Sequence, residues 1–150
     1  MKILIISPTY NEKNNIETLI KKVWLSVPNA HILIIDDNSP DGTGSIVKSI
    51  METNKNIFII EREGKLGLGT AYCEGFKWAI DRNYDRIVQI DADLSHNPED
   101  IPKMLETCEK YDLVLGSRYI TGVNVVHWPM RRLLLSYFAN IYAKTTNLLD

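Results

Sequence analysis

The sequence predicts an α/β domain, a mostly parallel sheet with helices on both faces. Three observations carry this expectation. Short apolar runs alternate five times with segments of helical period. The first two runs are apolar almost without a break, as strands buried on both faces are. Polar and charged residues follow the runs, whereas mainly turn residues precede them. In parallel sheets ligands bind beyond the carboxyl ends of the strands, so those polar residues form the candidate site.

Lys2 to Ser7 is a central strand, ended by Pro8. From Asn11 the period changes, and Ile16, Leu19, Ile20, Val23, Trp24 and Val27 mark one stripe of an amphipathic helix closed by Pro28-Asn29. His31 to Ile35 is a second buried strand running into a turn-rich loop, Asp36 to Gly42. Ile46, Val47, Ile50 and Met51 mark the next helix, and Asn56 to Ile60 a third strand. A glycine-bearing loop, Arg62 to Gly69, leads to a helix with Tyr72, Phe76, Ala79 and Ile80 on its inner face. Arg86 to Ile90 is the fourth strand. Asn97-Pro98-Glu99 is a helix start, with Asn as cap, Pro in the first turn and an acid at the positive dipole end. That helix carries Ile101, Met104, Leu105 and Cys108. Asp112 to Gly116 is the expected fifth strand, followed by a polar loop over 120–128 and a helix from Pro129 to about Leu149.

With 150 residues, 45% hydrophobic and 24% charged, the chain suits one domain with a real core. A net charge of −2 gives no electrostatic footprint for nucleic acid. Cys73 and Cys108 fit no metal or redox spacing; both are expected to be buried free thiols, consistent with a reducing compartment. The opening apolar run is too short for a signal peptide, and no run reaches the ~18 apolar residues that span a bilayer. The last residues show no helix-stop signal, so the natural protein is expected to continue beyond Asp150.

The predicted rim has definite chemistry. Asp91 and Asp93 are spaced i and i+2 past the fourth strand, and point to one side if the extended geometry persists. Ala92 between them is small enough to admit a ligand. Two hard carboxylates suit Mg²⁺ or Mn²⁺ alongside phosphate; a solvated turn is the bland alternative. Asp37 can accept from a nucleobase N–H or a ribose hydroxyl, or can form a turn, and Asp36 can be the structural member of the pair. Tyr10 can stack on a base. Glu12 can serve the site or complete a capping box with Thr9. Arg118 offers a fork suited to phosphate. Gly67-Leu68-Gly69 lacks the third glycine of a dinucleotide fingerprint and follows the wrong strand. No serine sits in a nucleophile elbow, and His31, His96 and His127 have no metal-ligand spacing.

Five motifs occur in order: Pro8-Thr9-Tyr10-Asn11-Glu12, Ile35 to Thr43 (IDDNSPDGT), Lys65 to Tyr72 (KLGLGTAY), Asp91 to His96 (DADLSH) and Gly116-Ser117-Arg118-Tyr119. Together they closely resemble the family-2, GT-A type glycosyltransferases, and within these the dolichyl-phosphate or polyprenyl-phosphate mannosyltransferases. The resemblance runs from residue 3 to about 145. It implies a GT-A (Rossmann-like) domain over 1–128 and an amphipathic, interfacial helix over 129–150. It implies inverting, metal-dependent transfer of mannose from GDP-mannose to a polyprenyl phosphate, by an enzyme peripheral to the cytosolic face of a membrane. Pro8, Tyr10, Glu12, Ile35 and Asp37 would then hold the guanosine end. Asp91, the Ala92 backbone and Asp93 would hold Mg²⁺ or Mn²⁺ and the diphosphate, and Arg118 a phosphate, with Asp93 and Arg118 closest to the chemistry. Two departures stand out: Ser95 occupies a place where related members sometimes carry a ligating Gln, and the family's later basic residues would lie beyond Asp150. For the last helix, core packing is the alternative to a membrane surface. A UDP-sugar donor or another acceptor is the alternative chemistry. A phospho-receiver domain is disfavoured, because its acidic pair follows the first strand and a lysine follows the fifth. A non-catalytic binding module is the remaining class.

Overall fold

The computed structural model describes residues 1–116 and 130–145. The chain divides into two compact units, Met1–Leu115 and Gly116–Asp150. The first holds a four-stranded parallel sheet: β1 Ile3–Thr9, β2 His31–Asp36, β3 Ile57–Glu61 and β4 Arg86–Gln89, in the order β3-β2-β1-β4. Around it lie α1 Ile16–Ser26, α2 Thr43–Thr53, α3 Leu68–Ile80, a 3-10 turn Pro98–Asp100 and α4 Ile101–Thr107. The second unit contributes α5, Met130–Thr145.

Alternation along the strands divides the core into two layers. Ile5, Ile32, Ile34, Ile57 and Val88 face the α1 residues Ile16, Leu19, Ile20 and Val23, with Val47 and Ile101. Leu4, Ile6, Leu33 and Ile35 face Ala71 and Ala79 of α3, with Tyr72, Phe76 and Trp78 at the margin. Both faces are covered, which is why the strands read as unbroken apolar runs. α3 lies very close to the sheet. A Cβ added at Gly75 would stand 2.9 Å from Ile35 Cδ1 and from Ile6 Cδ1 and Cγ2. Only a residue without a side chain fits there.

Several expectations are corrected. Residues 112–116 form no strand, and Leu113 and Leu115 are exposed. A short apolar run becomes a strand only where an edge offers it a ladder, and among the described residues none bonds to this one. α1 begins at Ile16, the first residue of the expected stripe. Ile80 turns out to be 69% exposed; the buried stripe of α3 is Ala71, Gly75 and Ala79. Cys73 is exposed because it falls off the buried stripe of α3, and Cys108, the residue that ends α4, is partly exposed. Asn97 does cap as expected, accepting the Glu99 N–H at 3.3 Å, though the turn it opens is 3-10 before becoming α.

Candidate functional site

Strand register builds the rim. Thr9 pairs with Asp36, Asp36 with Glu61, and Ile6 with Gln89. Backbone bonding continues past the strands: Asp37 N–H donates to Thr9 O (3.0 Å), Arg62 N–H to Asp36 O (2.8 Å) and Ile90 N–H to Ile6 O (3.1 Å). Tyr10, Asp37, Arg62 and Asp91 therefore leave the sheet along one edge. β1 has β2 on one side and β4 on the other, so the order reverses there. Crevices form outside the carboxyl ends at such a switch point, here between Tyr10 and Asp91. Three of the four non-glycine residues with left-handed φ among the described residues lie on the same rim, the fourth being Asn83 after α3. Asn11, Asn38 and Leu94 have φ of 62°, 57° and 60°. Asparagine tolerates this region; for leucine it costs ~1–2 kcal/mol.

At the β2 end the two acids have separate tasks. Asp36, 2% exposed, accepts from Thr9 Oγ1 (2.8 Å), Ser39 N–H (2.9 Å) and Ser39 Oγ (2.6 Å). It is the structural member of the pair. Asp37 Oδ1 accepts from Arg62 Nε at 2.6 Å, with only 10% and 4% of the two side chains exposed. That hydrogen bond holds the Arg62 guanidinium above its ordinary value. Arg62 also donates to Thr70 Oγ1 (2.8 Å) and Gly67 O (3.2 Å), fixing the turn that opens α3. Gly67 has φ 100° and ψ 148°, a conformation only glycine adopts readily. Asp37 Oδ2 accepts no hydrogen bond among the described residues, so one oxygen is available to a ligand.

Tyr10 is 40% exposed, and Lys65 Nζ lies 4.7 Å from its ring centroid, a cation–π contact across the rim. Pro8 and Ile35 pair in register. Ile35 is wholly buried against α3, so only its backbone can meet a ligand. Glu12 forms no capping box, since Thr9 is committed to Asp36. Its carboxylate instead accepts from Asn15 Nδ2 (2.8 Å), and its N–H donates to Thr43 Oγ1 (3.0 Å).

At the β4 end the extended geometry does not persist: Ala92 and Asp93 lie in a turn. Ala92 is small because it packs into the core, 3% exposed. Asp91 is half-exposed, and Tyr72 donates to its Oδ1 at 3.2 Å. Burial, then the Asp91 charge and this bond, push the Tyr72 phenol well above its ordinary range. His96 Nδ1 is 3.4 Å from the Asp91 N–H and 3.8 Å from Oδ2. Asp93 is exposed, and its Oδ1 accepts from Ser95 N–H at 2.9 Å. Among the described residues no group of three His, Cys, Asp or Glu could hold a metal. Two carboxylates alone fit Mg²⁺ or Mn²⁺ that completes its shell with water and a ligand's phosphates. Arg118 lies outside the described residues, as does the expected boundary at 128/129.

Arg62 and Tyr72 were not singled out from the sequence as site residues. The signal for Arg62 was a cation at the end of an apolar strand. For Tyr72 it was a phenol on the expected inner face of a helix, where its O–H needs a partner.

The family model for glycosyl transferase family 2 matches residues 4–150. Polyprenol monophosphomannose synthase of Mycolicibacterium smegmatis is 42% identical over 143 residues, 94% of this chain and 54% of that protein. Undecaprenyl-phosphate mannosyltransferase of Micrococcus luteus is 39% identical over 144 residues, 96% of this chain and 59% of that one. The chain thus spans little more than half the length of these curated relatives. Among solved structures, a mannosyltransferase from Pyrobaculum calidifontis in complex with GDP-Man and Mn²⁺ superposes with a TM-score of 0.55 at 26% identity, over 61% of this chain and 27% of that one. S. aureus TarS with UDP gives 0.61 at 22% identity, over 75% and 33%, a likeness of fold alone. The chain belongs to glycosyl transferase family 2, and its sheet has the GT-A architecture.

Proposed function

We propose that the whole protein moves mannose from GDP-mannose to a polyprenyl phosphate, with inversion at the anomeric carbon and a divalent ion at Asp91 and Asp93. The observation that carries this reading is the rim itself. Tyr10, Asp37 and Asp91 leave adjacent strands at one switch point, with Asp93 two residues further on. The names of the relatives supply the sugar and the acceptor class, and the GDP-Man complex of the Pyrobaculum calidifontis structure supplies the donor.

Tyr10 would stack on the base, and Asp37 Oδ2 would accept from a base N–H or a ribose hydroxyl. Glu12 and the backbones of Pro8 and Ile35 would line the same end. Asp91, Ala92 and Asp93 would meet the diphosphate. The ion would neutralise charge building on the departing diphosphate. An acceptor phosphate oxygen attacks the anomeric carbon as the bond to the diphosphate breaks, and GDP leaves. The acceptor is already ionised near neutral pH, so no strong general base is required, and positioning supplies most of the rate. Arg118 would hold a phosphate.

α5 supports a surface role. Leu134, Leu135, Tyr137, Phe138, Ile141 and Tyr142 are exposed along one helical stripe, with Arg131 also exposed near its start. Among the described residues no helix is long and apolar enough to cross a membrane. The stripe would lie on a bilayer surface at the cytosolic face, with arginine near anionic headgroups. The test is turnover by the full-length protein with labelled GDP-mannose and a short polyprenyl phosphate. Labelled lipid product is expected; product only from a UDP-sugar overturns the donor assignment.

A further inference from the structure

We infer that Tyr72 is a positioning residue for the ion: its phenol holds Asp91 Oδ1 and leaves the opposite oxygen, Oδ2, to ligate. The inference rests on the proposed metal role of Asp91 and goes one residue beyond it.

The packing of α3 makes the phenol a fixed donor. The Tyr72 ring stacks on Phe76, with centroids 6.3 Å apart at 24°, and both pack against the Leu4, Ile6, Leu33 and Ile35 layer. One turn later Gly75 brings the helix backbone down onto Ile6 and Ile35. At the helix start Arg62 ties Thr70 and Gly67 O to Asp37. α3 is therefore held at its first turn and its middle, with Tyr72 between the two points. On its other side the Asp91 N–H donates to His96 Nδ1 at 3.4 Å, and that same nitrogen, acting as acceptor, lies 3.8 Å from Oδ2, beyond hydrogen-bond distance, so Oδ2 stays open to an ion.

Core packing alone does not require a hydroxyl at position 72, because phenylalanine would bury the same ring. What phenylalanine cannot do is donate to Asp91. An O–H donated to a carboxylate is a charge-assisted bond that fixes orientation. Partners of this kind behind a metal ligand typically matter by ~10–100-fold in metal affinity.

The experiment titrates Mn²⁺ into the full chain with saturating GDP, following free Mn²⁺ by electron paramagnetic resonance. The proteins are wild type, Tyr72→Phe, Asp91→Asn and, as a neighbouring control on exposed helix surface, Cys73→Ser. Melting without metal is recorded for each. Tyr72→Phe is expected to weaken Mn²⁺ binding by about 10-fold, with melting lowered by no more than a few degrees. Cys73→Ser should match wild type. A purely structural Tyr72 would lower the melting temperature and leave the Mn²⁺ affinity of the folded protein unchanged. Unaltered affinity in Tyr72→Phe, with binding lost in Asp91→Asn, overturns the role of Tyr72 alone. Unaltered affinity in both overturns the metal reading and the inference with it.

Discussion

Gly75→Ala tests how α3 is seated. Helix propensity alone says that alanine should stabilise a helix interior by ~1 kcal/mol. The structure says the opposite. The added methyl would lie 2.9 Å from three atoms of Ile6 and Ile35, where ordinary contact begins at 3.4 Å. Both isoleucines are fully buried, so neither can swing away. The helix must rise by about 0.5 Å or the rotamers must strain, and such overpacking costs ~1–3 kcal/mol. Set against the propensity gain, a net loss of about 1 kcal/mol is expected, or ~2–4 °C in melting temperature for a chain of this size. Gly69→Ala is the control on the same helix. Its methyl meets nothing within 4 Å, and its backbone is not left-handed, so it should be neutral or stabilising. Urea unfolding of both variants beside wild type decides. Gly75→Ala as stable as Gly69→Ala would refute the close seating, and with it the argument that packing fixes Tyr72.

Two more outcomes follow from the buried groups. Asp37→Asn removes the carboxylate bonded to the buried Arg62 and leaves it the Glu74 charge, so stability should fall, by up to ~3–5 kcal/mol in denaturant; Asp37→Leu with Arg62→Met together should recover most of that loss. Equal losses in the single and double variants would contradict the pairing. Burial, then the Lys2 charge, lowers the His31 imidazole below 6.5, and its Nδ1 lies 2.6 Å from Tyr84 Oη. The fold therefore favours the neutral ring. That contribution is present above pH 6.5 and is lost as pH falls through the lowered folded value. Melting temperature should drop over that window less steeply in His31→Gln than in wild type; identical slopes would argue against it.

Much of this fold was legible because its strands are buried on both faces. Ile3 to Ile6 and Ile32 to Ile35 have no polar residue to confuse the period, and Asn97-Pro98-Glu99 carries its own capping chemistry. The fifth strand was misread because Leu113-Val114-Leu115 has strand composition, while its pairing depends on an edge outside the segment. Thr9 and Glu12 had capping-box spacing, but the Asp36 carboxylate on the neighbouring strand claims the threonine. The rim position of Tyr10, Asp37 and Asp91 was legible because each directly follows a strand. The roles of Arg62 and Tyr72 were not, because they lie in partners 25 and 19 residues away in sequence, Asp37 and Asp91.

An ion held by Asp91 and Asp93 would tie a nucleoside diphosphate to this rim, and calorimetric titration of GDP, with Mn²⁺ and then with a chelator, reads that tie. GDP should bind tightly only with Mn²⁺, and Asp91→Asn and Asp93→Asn should each abolish that dependence. GDP affinity that ignores the chelator, or survives intact in both variants, would contradict the account.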